Sequence, residues 1–376
     1  MTSLAARLEG KRVIIVAGSG GVGKTTASAA LALGLAAAGD RVAVVTIDPA
    51  KRLAQSLGLE ALGNEPRRVQ ADLLEAAAPG NTTRGELWAM MLDPKATFDD
   101  LMVRLSPDAQ TRDEVLGNRI YRELSSAVAG TQEFSAIAKL YELHREGGFD
   151  VLVLDTPPSR NALDFLDAPD RLTDFFEGRA LKVFLMPTGI AGRLLGAGTS
   201  VVFAVLKRIT GVDLLGDIVV FFRSLGGLVD GFKERAAGVK ALLADPATTF
   251  LIVSSPEREP AAEAIFFRGK LREARMPFGG LIVNRVHVVG AEVGQPDAVR
   301  AELGGALGTS LANKVADSVA DLQRLAARDA ASIAHLSDEL DEPDPIIVPM
   351  LEGEVTDLDG LLALYRHLAG DGTARG

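Results

Sequence analysis

Four residues in one short stretch have the types and the spacing to handle a phosphate chain. Gly18, Gly23, Lys24 and Thr25 fill the fixed places of G-x-x-x-x-G-K-[ST] within Gly18-Ser19-Gly20-Gly21-Val22-Gly23-Lys24-Thr25-Thr26. Glycines in such a turn let the backbone close around a ligand without Cβ clashes, and some can take φ > 0. The N–H groups of the turn then point inward at the start of the next helix, where the dipole also favours negative charge. Lys24 would reach the β- and γ-phosphates of a nucleoside triphosphate, and the Thr25 hydroxyl is placed to ligate Mg²⁺. The competing reading is a glycine-rich turn that matches by chance. It loses ground because the apolar run Val13–Ala17 precedes the turn and a helical stretch from Lys24 to about Ala38 follows it.

Three further positions sit at the ends of apolar runs. Asp48, in Thr46-Ile47-Asp48-Pro49-Ala50, either orients an attacking water or caps a helix whose first residue is Pro49. Asp155 follows Val151–Leu154 directly, the pattern of a Walker-B acid that holds Mg²⁺ or its waters, with an ordinary strand-end turn as the competing reading. The prolines of Asp155-Thr156-Pro157-Pro158-Ser159-Arg160-Asn161 deny that loop helical structure, as a γ-phosphate sensor needs. Asn284 ends Gly280–Val283. Its amide offers a donor and an acceptor together, which matches the N6/N7 edge of adenine, although an Asn here also suits a plain turn.

The elements that must position these residues are legible as near-continuous apolar runs: Val13–Ala17, Val42–Ile47, Leu87–Leu92, Val151–Leu154, Thr249–Ser254, Gly280–Val283 and Ile346–Val348. Runs without alternation suit a mainly parallel sheet covered by helices on both faces, an α/β fold. One phosphate loop is present and no second copy of it, so the chain is not an internally duplicated ATPase. The chain reads as a single ATPase domain over residues 1–376, with helical insertions at about 94–148 and 163–243. The second insertion is apolar at its centre, across residues 183–228. Either it packs as core or it offers a surface to an apolar partner.

Composition narrows the classes. The apolar fraction of 47% is ample for a core, and 40 Lys+Arg against 50 Asp+Glu make the chain acidic. That balance argues against a broad nucleic-acid surface, so no nucleic-acid partner is expected. Met1–Gly10 carries charge and no apolar core, unlike a secretory leader. The longest apolar run, Leu194–Leu206, falls short of the roughly 18–20 residues of a spanning helix. With no cysteine at all, disulfides and thiolate metal sites are excluded, and a cytoplasmic protein is the natural reading. The four histidines, His144, His287, His335 and His367, show no ligand spacing and suit structural or surface roles. Leu358–Ala369 carries a helical apolar stripe, and its polar face lacks the several Lys/Arg of a membrane-surface helix, so docking onto the body is expected.

Taken together, Gly18–Thr26, Asp48-Pro49-Ala50, Gly130–Glu133, Asp155-Thr156-Pro157-Pro158, Val283-Asn284-Arg285 and the loop Pro349–Glu354 resemble the arsenite-pump (ArsA-type) and tail-anchored-protein-targeting ATPases. That family is a dimeric branch of the P-loop NTPases. The resemblance implies ATP and Mg²⁺ as cofactors, Asp48 as the residue that orients the hydrolytic water, and Asp155 as the start of the second switch. It also implies that Asn284 and the loop at Pro349 hold adenine, and that ATP closes a dimer.

Three departures from the family pattern bear on function. The family's phosphate loop usually carries a second lysine, which reaches the partner subunit's phosphates, where this chain has Ser19. A cation supplied in trans can be worth about 10³–10⁵ in rate, so unless Lys51, Arg52 or Arg160 substitutes, the departure implies a slow homodimer or a heterodimer with a lysine-bearing paralogue. The missing cysteines rule out thiolate capture of arsenite and a cysteine-held zinc clip. The apolar insertion holds only Met186, unlike a methionine-rich client groove. The leading expectation is a chaperone-like ATPase for hydrophobic segments or membrane proteins. Its alternative is the motor subunit of an anion efflux system. A ParA/MinD-like patterning role is disfavoured by the acidic charge.

Overall fold

The chain is seen in a computed structural model that describes residues 4–47, 52–70, 85–119, 121–122, 131–156, 167–168, 170–171, 221, 224, 226, 228–290, 293–351, 355 and 358–369. It divides into two compact units. The first comprises Met1–Met91, Gly147–Ala162 and Ala244–Gly376, and the second comprises Leu92–Glu146 and Leu163–Leu243.

The first unit is built on an eight-stranded sheet. Its strands are β1 (Val13–Gly18), β2 (Arg41–Thr46), β3 (Arg67–Arg68), β4 (Glu86–Met91), β5 (Val151–Asp155), β6 (Thr248–Ser254), β7 (Phe278–Val286) and β8 (Ile346–Pro349). They lie in the order β3-β4-β2-β5-β1-β6-β7-β8. All pair in parallel except the two-residue β3, which runs antiparallel to β4. All seven apolar runs legible in the sequence are strands of this sheet, and the α/β expectation holds. The runs lack alternation because β1, β2, β5 and β6 are buried along almost their whole length. From β1 the chain moves outward to β2, and after β5 it reappears on the other flank of β1 as β6. The carboxyl ends around β1 therefore form a topological switch point, where open α/β sheets bind ligands.

The described helices of this unit are α1 (Leu4–Leu8), α2 (Lys24–Ala38), α3 (Arg52–Ser56), α8 (Arg258–Glu273), α9 (Pro296–Leu307), α10 (Thr309–Leu340) and α11 (Leu358–Ala369). Alanine dominates α2 because both of its sides are covered. It packs on β1, β2, β4 and β5 and also against α11. A Cβ at Gly34 would stand 1.9 Å from the Tyr365 ring of α11, so only glycine lets the two helices come this close. Leu361, Leu362, Leu364 and Leu368 of α11 join the same core, as the stripe in the sequence implied. Helix α2 ends at Gly39 (φ 118°), whose N–H bonds back to Ala36 O at 3.1 Å while Asp40 N bonds to Leu35 O at 3.3 Å. Glycine is favoured there by its left-handed backbone.

The second unit is helical in its described parts: α4 (Pro94–Leu105), α5 (Ala109–Gly117), α6 (Thr131–Glu146) and α7 (Val229–Ala244). Phe98, Met102, Phe134, Tyr121, Phe221 and Phe232 lead its core. Asp93 caps α4 through the Ala96 N–H at 3.0 Å with Pro94 in the first turn, and Asp108 caps α5 through Thr111 N at 2.7 Å. Each carboxylate satisfies an orphan N–H of a helix start. The apolar stretch 183–220, with residues 222, 223, 225 and 227, lies outside the described residues. Among the described residues no helix is long and apolar enough to cross a membrane.

Candidate functional site

The glycine loop links β1 to α2 on the carboxyl side of the sheet. Two of its glycines are required by their surroundings. A Cβ on Gly18 would come within 2.0 Å of Val253 O on β6, and one on Gly23 (φ 97°) within 2.4 Å of Asn284 Nδ2. Gly23 also leaves α2 without a side-chain cap, so its first-turn N–H groups keep the role of anion donors. Lys24 is buried, and its Nζ donates to the Ser19 carbonyl at 2.8 Å. The loop is therefore closed by its own lysine, with the cationic head held at the turn.

Asp155 ends β5 beside the ends of β1 and β2, in register with Val16 and Thr46. Its Oδ2 accepts from Thr25 Oγ1 at 2.7 Å and from Thr46 Oγ1 at 2.8 Å. The acid is 1% exposed. A carboxylate beside a threonine hydroxyl is a hard-oxygen pair of the kind Mg²⁺ prefers when phosphate oxygens and waters complete its shell. The donor set thus fits the ion, and the glycine cradle fits a polyphosphate. Thr46 is a contact that sequence reasoning missed. Its only signal was its place as the last residue of a strand, two before Asp48. Thr156, the next residue after Asp155, donates to Val16 O from both N–H (3.2 Å) and Oγ1 (2.9 Å), which holds the strand end against β1.

Asn284 sits near the end of β7 and leans on the phosphate loop. Its Nδ2 donates to Val22 O at 2.8 Å, and its Oδ1 accepts from Arg285 N at 2.9 Å. The β7–β8 register shifts between Val283 and Val286, and Arg285 inside the shift takes φ 60°. This kink aims a strand-end side chain at the loop, a recurrent use of bulges beside functional sites. Pro349 ends β8 opposite Val286, and Met350 N bonds to Val286 O at 2.9 Å. Asn284 and Pro349 therefore stand on adjacent strand ends. Asp48, Gly130, residues 157–161 and residues 352–354 lie outside the described residues.

Directly after β7, His287 is pinned by a buried acid of α10. Asp329 Oδ2 accepts from His287 N at 3.0 Å and lies 2.7 Å from its Nδ1, while Arg328 donates to Oδ1 at 3.0 and 3.2 Å. Burial raises the Asp329 pKa, but the hydrogen bonds from His287 and Arg328 outweigh it and leave the carboxyl below its ordinary range. His287 thus has the structural role its spacing implied. Its partner acid, 42 positions away, has no local signature.

A parallel sheet with a glycine loop, a buried loop lysine and a strand-end acid on a threonine defines the P-loop NTPase class of α/β proteins. Within that class, the profile of the anion-transporting ATPase family matches residues 11–298, and the chain belongs to this family. Among its relatives, the ATPase get3 of Aspergillus terreus is 34% identical over 161 residues, which covers 42% of this chain and 43% of that protein. The putative arsenical pump-driving ATPase 1 of Aquifex aeolicus is 28% identical over 250 residues, 66% of this chain and 56% of that protein. The ATPase ARSA1 of Chlamydomonas reinhardtii is 27% identical over 310 residues, 73% of this chain and 35% of that protein. The chain thus spans between about a third and just over half of the length of these relatives.

Proposed function

We propose that the chain is an Mg²⁺-dependent ATP hydrolase whose nucleotide-driven dimer switch handles a hydrophobic client. The observation that carries the reading is the Thr25–Asp155 contact at 2.7 Å beside a phosphate loop whose lysine is already seated. In this reading residues 1–376 act as one ATPase domain, with helical insertions at about 94–148 and 163–243, in the cytoplasm. Backbone N–H groups of Gly18–Thr26, with Ser19, Gly20, Gly21, Val22 and Thr26 as well as the motif residues, cradle the phosphates. Thr25 and Asp155 hold Mg²⁺, which neutralises charge on the transferred phosphoryl group when bound. Lys24 exchanges its bond to the Ser19 carbonyl for the phosphates and stabilises charge that develops on them. Asp48 orients the attacking water.

Asn284 and Pro349 select adenine. The amide of Asn284 has a second N–H and a second oxygen lone pair beyond its bonds to Val22 and Arg285, so it can grip the loop and the base together. Loss of the γ-phosphate would release the strand-end switches and reset the dimer. Ser19 in place of a second loop lysine supports a slow homodimer or a heterodimer with a lysine-bearing paralogue. Steady-state ATPase assays of the chain, alone and mixed with such a paralogue, test this. Slow turnover alone and stimulation by the paralogue are expected, whereas fast turnover of the pure chain contradicts it.

A second reading, the motor of an anion efflux system, is favoured by the family's description as anion-transporting and by the name of the Aquifex relative. Co-purification with and without ATP separates the two. Apolar peptides retained in one nucleotide state support the client reading, and an integral membrane permease supports the efflux reading.

A further inference from the structure

In the second unit, one carboxylate is surrounded by more positive charge than it can balance. Glu142 of α6 forms an ion pair with Arg104 Nη2 of α4 at 2.8 Å and accepts from Lys139 Nζ one turn back at 2.9 Å, both on Oε1. Its Oε2 accepts from Arg235 Nη2 of α7 at 3.2 Å. A fourth cation, Arg145, lies one turn further along α6, with its guanidinium carbon 5.7 Å from the Tyr141 ring centroid. Arg235 lies 5.8 Å from the same ring. Three cations therefore meet one carboxylate, with Arg145 beside them on the Tyr141 ring, and no other acid among the described residues pairs with them. Asp99 of α4 is engaged by Lys95 and Tyr121.

The surplus is not a solvated fringe. The side chains of Lys139, Glu142 and Arg235 are only 10%, 11% and 15% exposed. Two cations and one carboxylate are thus withdrawn from water together, and uncompensated buried charge is costly. Burial lowers the Arg235 pKa, and Arg104 and Arg145 push the same way against Glu142 and Tyr141. Arg235 Nε is buried and has no hydrogen-bond partner. The C-terminal dipoles of α4 and α6, each about half a negative charge, offset part of the excess but give that N–H no acceptor. The cluster consists almost wholly of donors, since Arg145 and the Tyr141 hydroxyl also lack a hydrogen-bonded acceptor among the described residues. A buried donor without an acceptor, inside a surplus of positive charge, calls for an anion.

We propose that Arg104, Lys139, Tyr141, Arg145 and Arg235 form a binding site for a small tetrahedral oxyanion, of which hydrogen phosphate and sulfate are representatives. The ligand takes the Nε and Nη edge of Arg235, with Arg104 and Arg145 at the rim, and completes the ion cluster that ties α4, α6 and α7 together. Guanidinium forks suit such ligands because their parallel N–H groups match two oxygens of one tetrahedron. The site is cysteine-free and lies wholly within the second unit, so it does not depend on the phosphate loop.

Calorimetric titration of inorganic phosphate into the full chain, in chloride buffer, tests this. The Lys24→Ala background removes phosphate binding at the nucleotide loop. Saturable binding of about one phosphate per chain is expected there, weakened at least tenfold by Arg235→Lys, which keeps the charge but removes the Nε fork. The rim substitution Arg145→Ala should weaken it severalfold, and it decides the matter if Arg235→Lys fails to fold. Sulfate should compete with phosphate. Absence of saturable binding in the Lys24→Ala chain, or equal affinity in the Arg145→Ala and Lys24→Ala/Arg145→Ala chains and their parents, overturns the proposal.

Discussion

At the strand ends of the first unit, Lys24 rests on the Ser19 carbonyl and Asp155 holds two hydroxyls. Among the helices of the second unit, Glu142 pairs with three cations, and a fourth, Arg145, lies on the neighbouring Tyr141 ring. Both places collect groups suited to anions, but they are built differently. The first uses backbone N–H groups, glycines and one lysine within nine consecutive residues. The second draws on side chains from residues 104 to 235, brought together only by helix packing. A loop site holds its donors by main-chain geometry before any ligand arrives. A side-chain cluster holds them against mutual repulsion, so it gains more from the ligand it binds.

The largest effects that would break this comparison belong to the loop. Lys24→Ala should lower ATP turnover by about 10³-fold or more, because the charge it neutralises has no substitute in the loop. Steady-state kinetics would check this, and phosphate binding in the second unit should persist. Asp155→Asn should cost about 10²–10³-fold in turnover and shift the Mg²⁺ requirement upward, read from a metal titration. Glu142→Gln should destabilise the protein by roughly 3 kcal/mol, since it leaves Lys139 and Arg235 with no counter-charge. Urea unfolding with and without phosphate would sharpen the contrast, with phosphate recovering part of the loss.

Smaller effects follow from local geometry. Gly23→Ala should cost roughly 1–3 kcal/mol and weaken nucleotide binding, because the new Cβ meets Asn284 Nδ2 at 2.4 Å from a left-handed backbone. Gly21→Ala, also left-handed (φ 78°) but with nothing within 4 Å of its Cβ, should cost only about 1 kcal/mol. The Asp329 anchor should show in acid. Its carboxyl is held below the ordinary range, so its stabilisation is complete above about pH 4 and lost as pH falls through the lowered value. Asp329→Asn should remove that slope, measured by unfolding between pH 5 and pH 2.

The sheet was legible because burial on both faces writes strands as unbroken apolar runs, and seven of eight strands announced themselves this way. The exception, β3, is Arg67–Arg68, two exposed residues that pair at an edge and carry no apolar signal. The loop residues Gly18, Lys24 and Thr25 and the strand-end Asp155 were legible because their chemistry fixes their spacing. Thr46, the Asn284–Val22 bond and the His287–Asp329 pair were not. Each depends on which strand or helix lies beside which, and β2 reaches β5 only through the order of the sheet. The cluster around Glu142 was hidden for the same reason, since its members look like solvated charges on three separate helices.

The central claim is that Mg²⁺ and a nucleoside triphosphate dock where β1 passes into α2. Calorimetry of ATP binding, with and without Mg²⁺, on the wild-type chain and on Lys24→Ala tests it most directly. Saturable, Mg²⁺-strengthened binding that the substitution abolishes is the predicted result. Equal binding by the two proteins, or no heat from ATP in the wild type, would contradict the account.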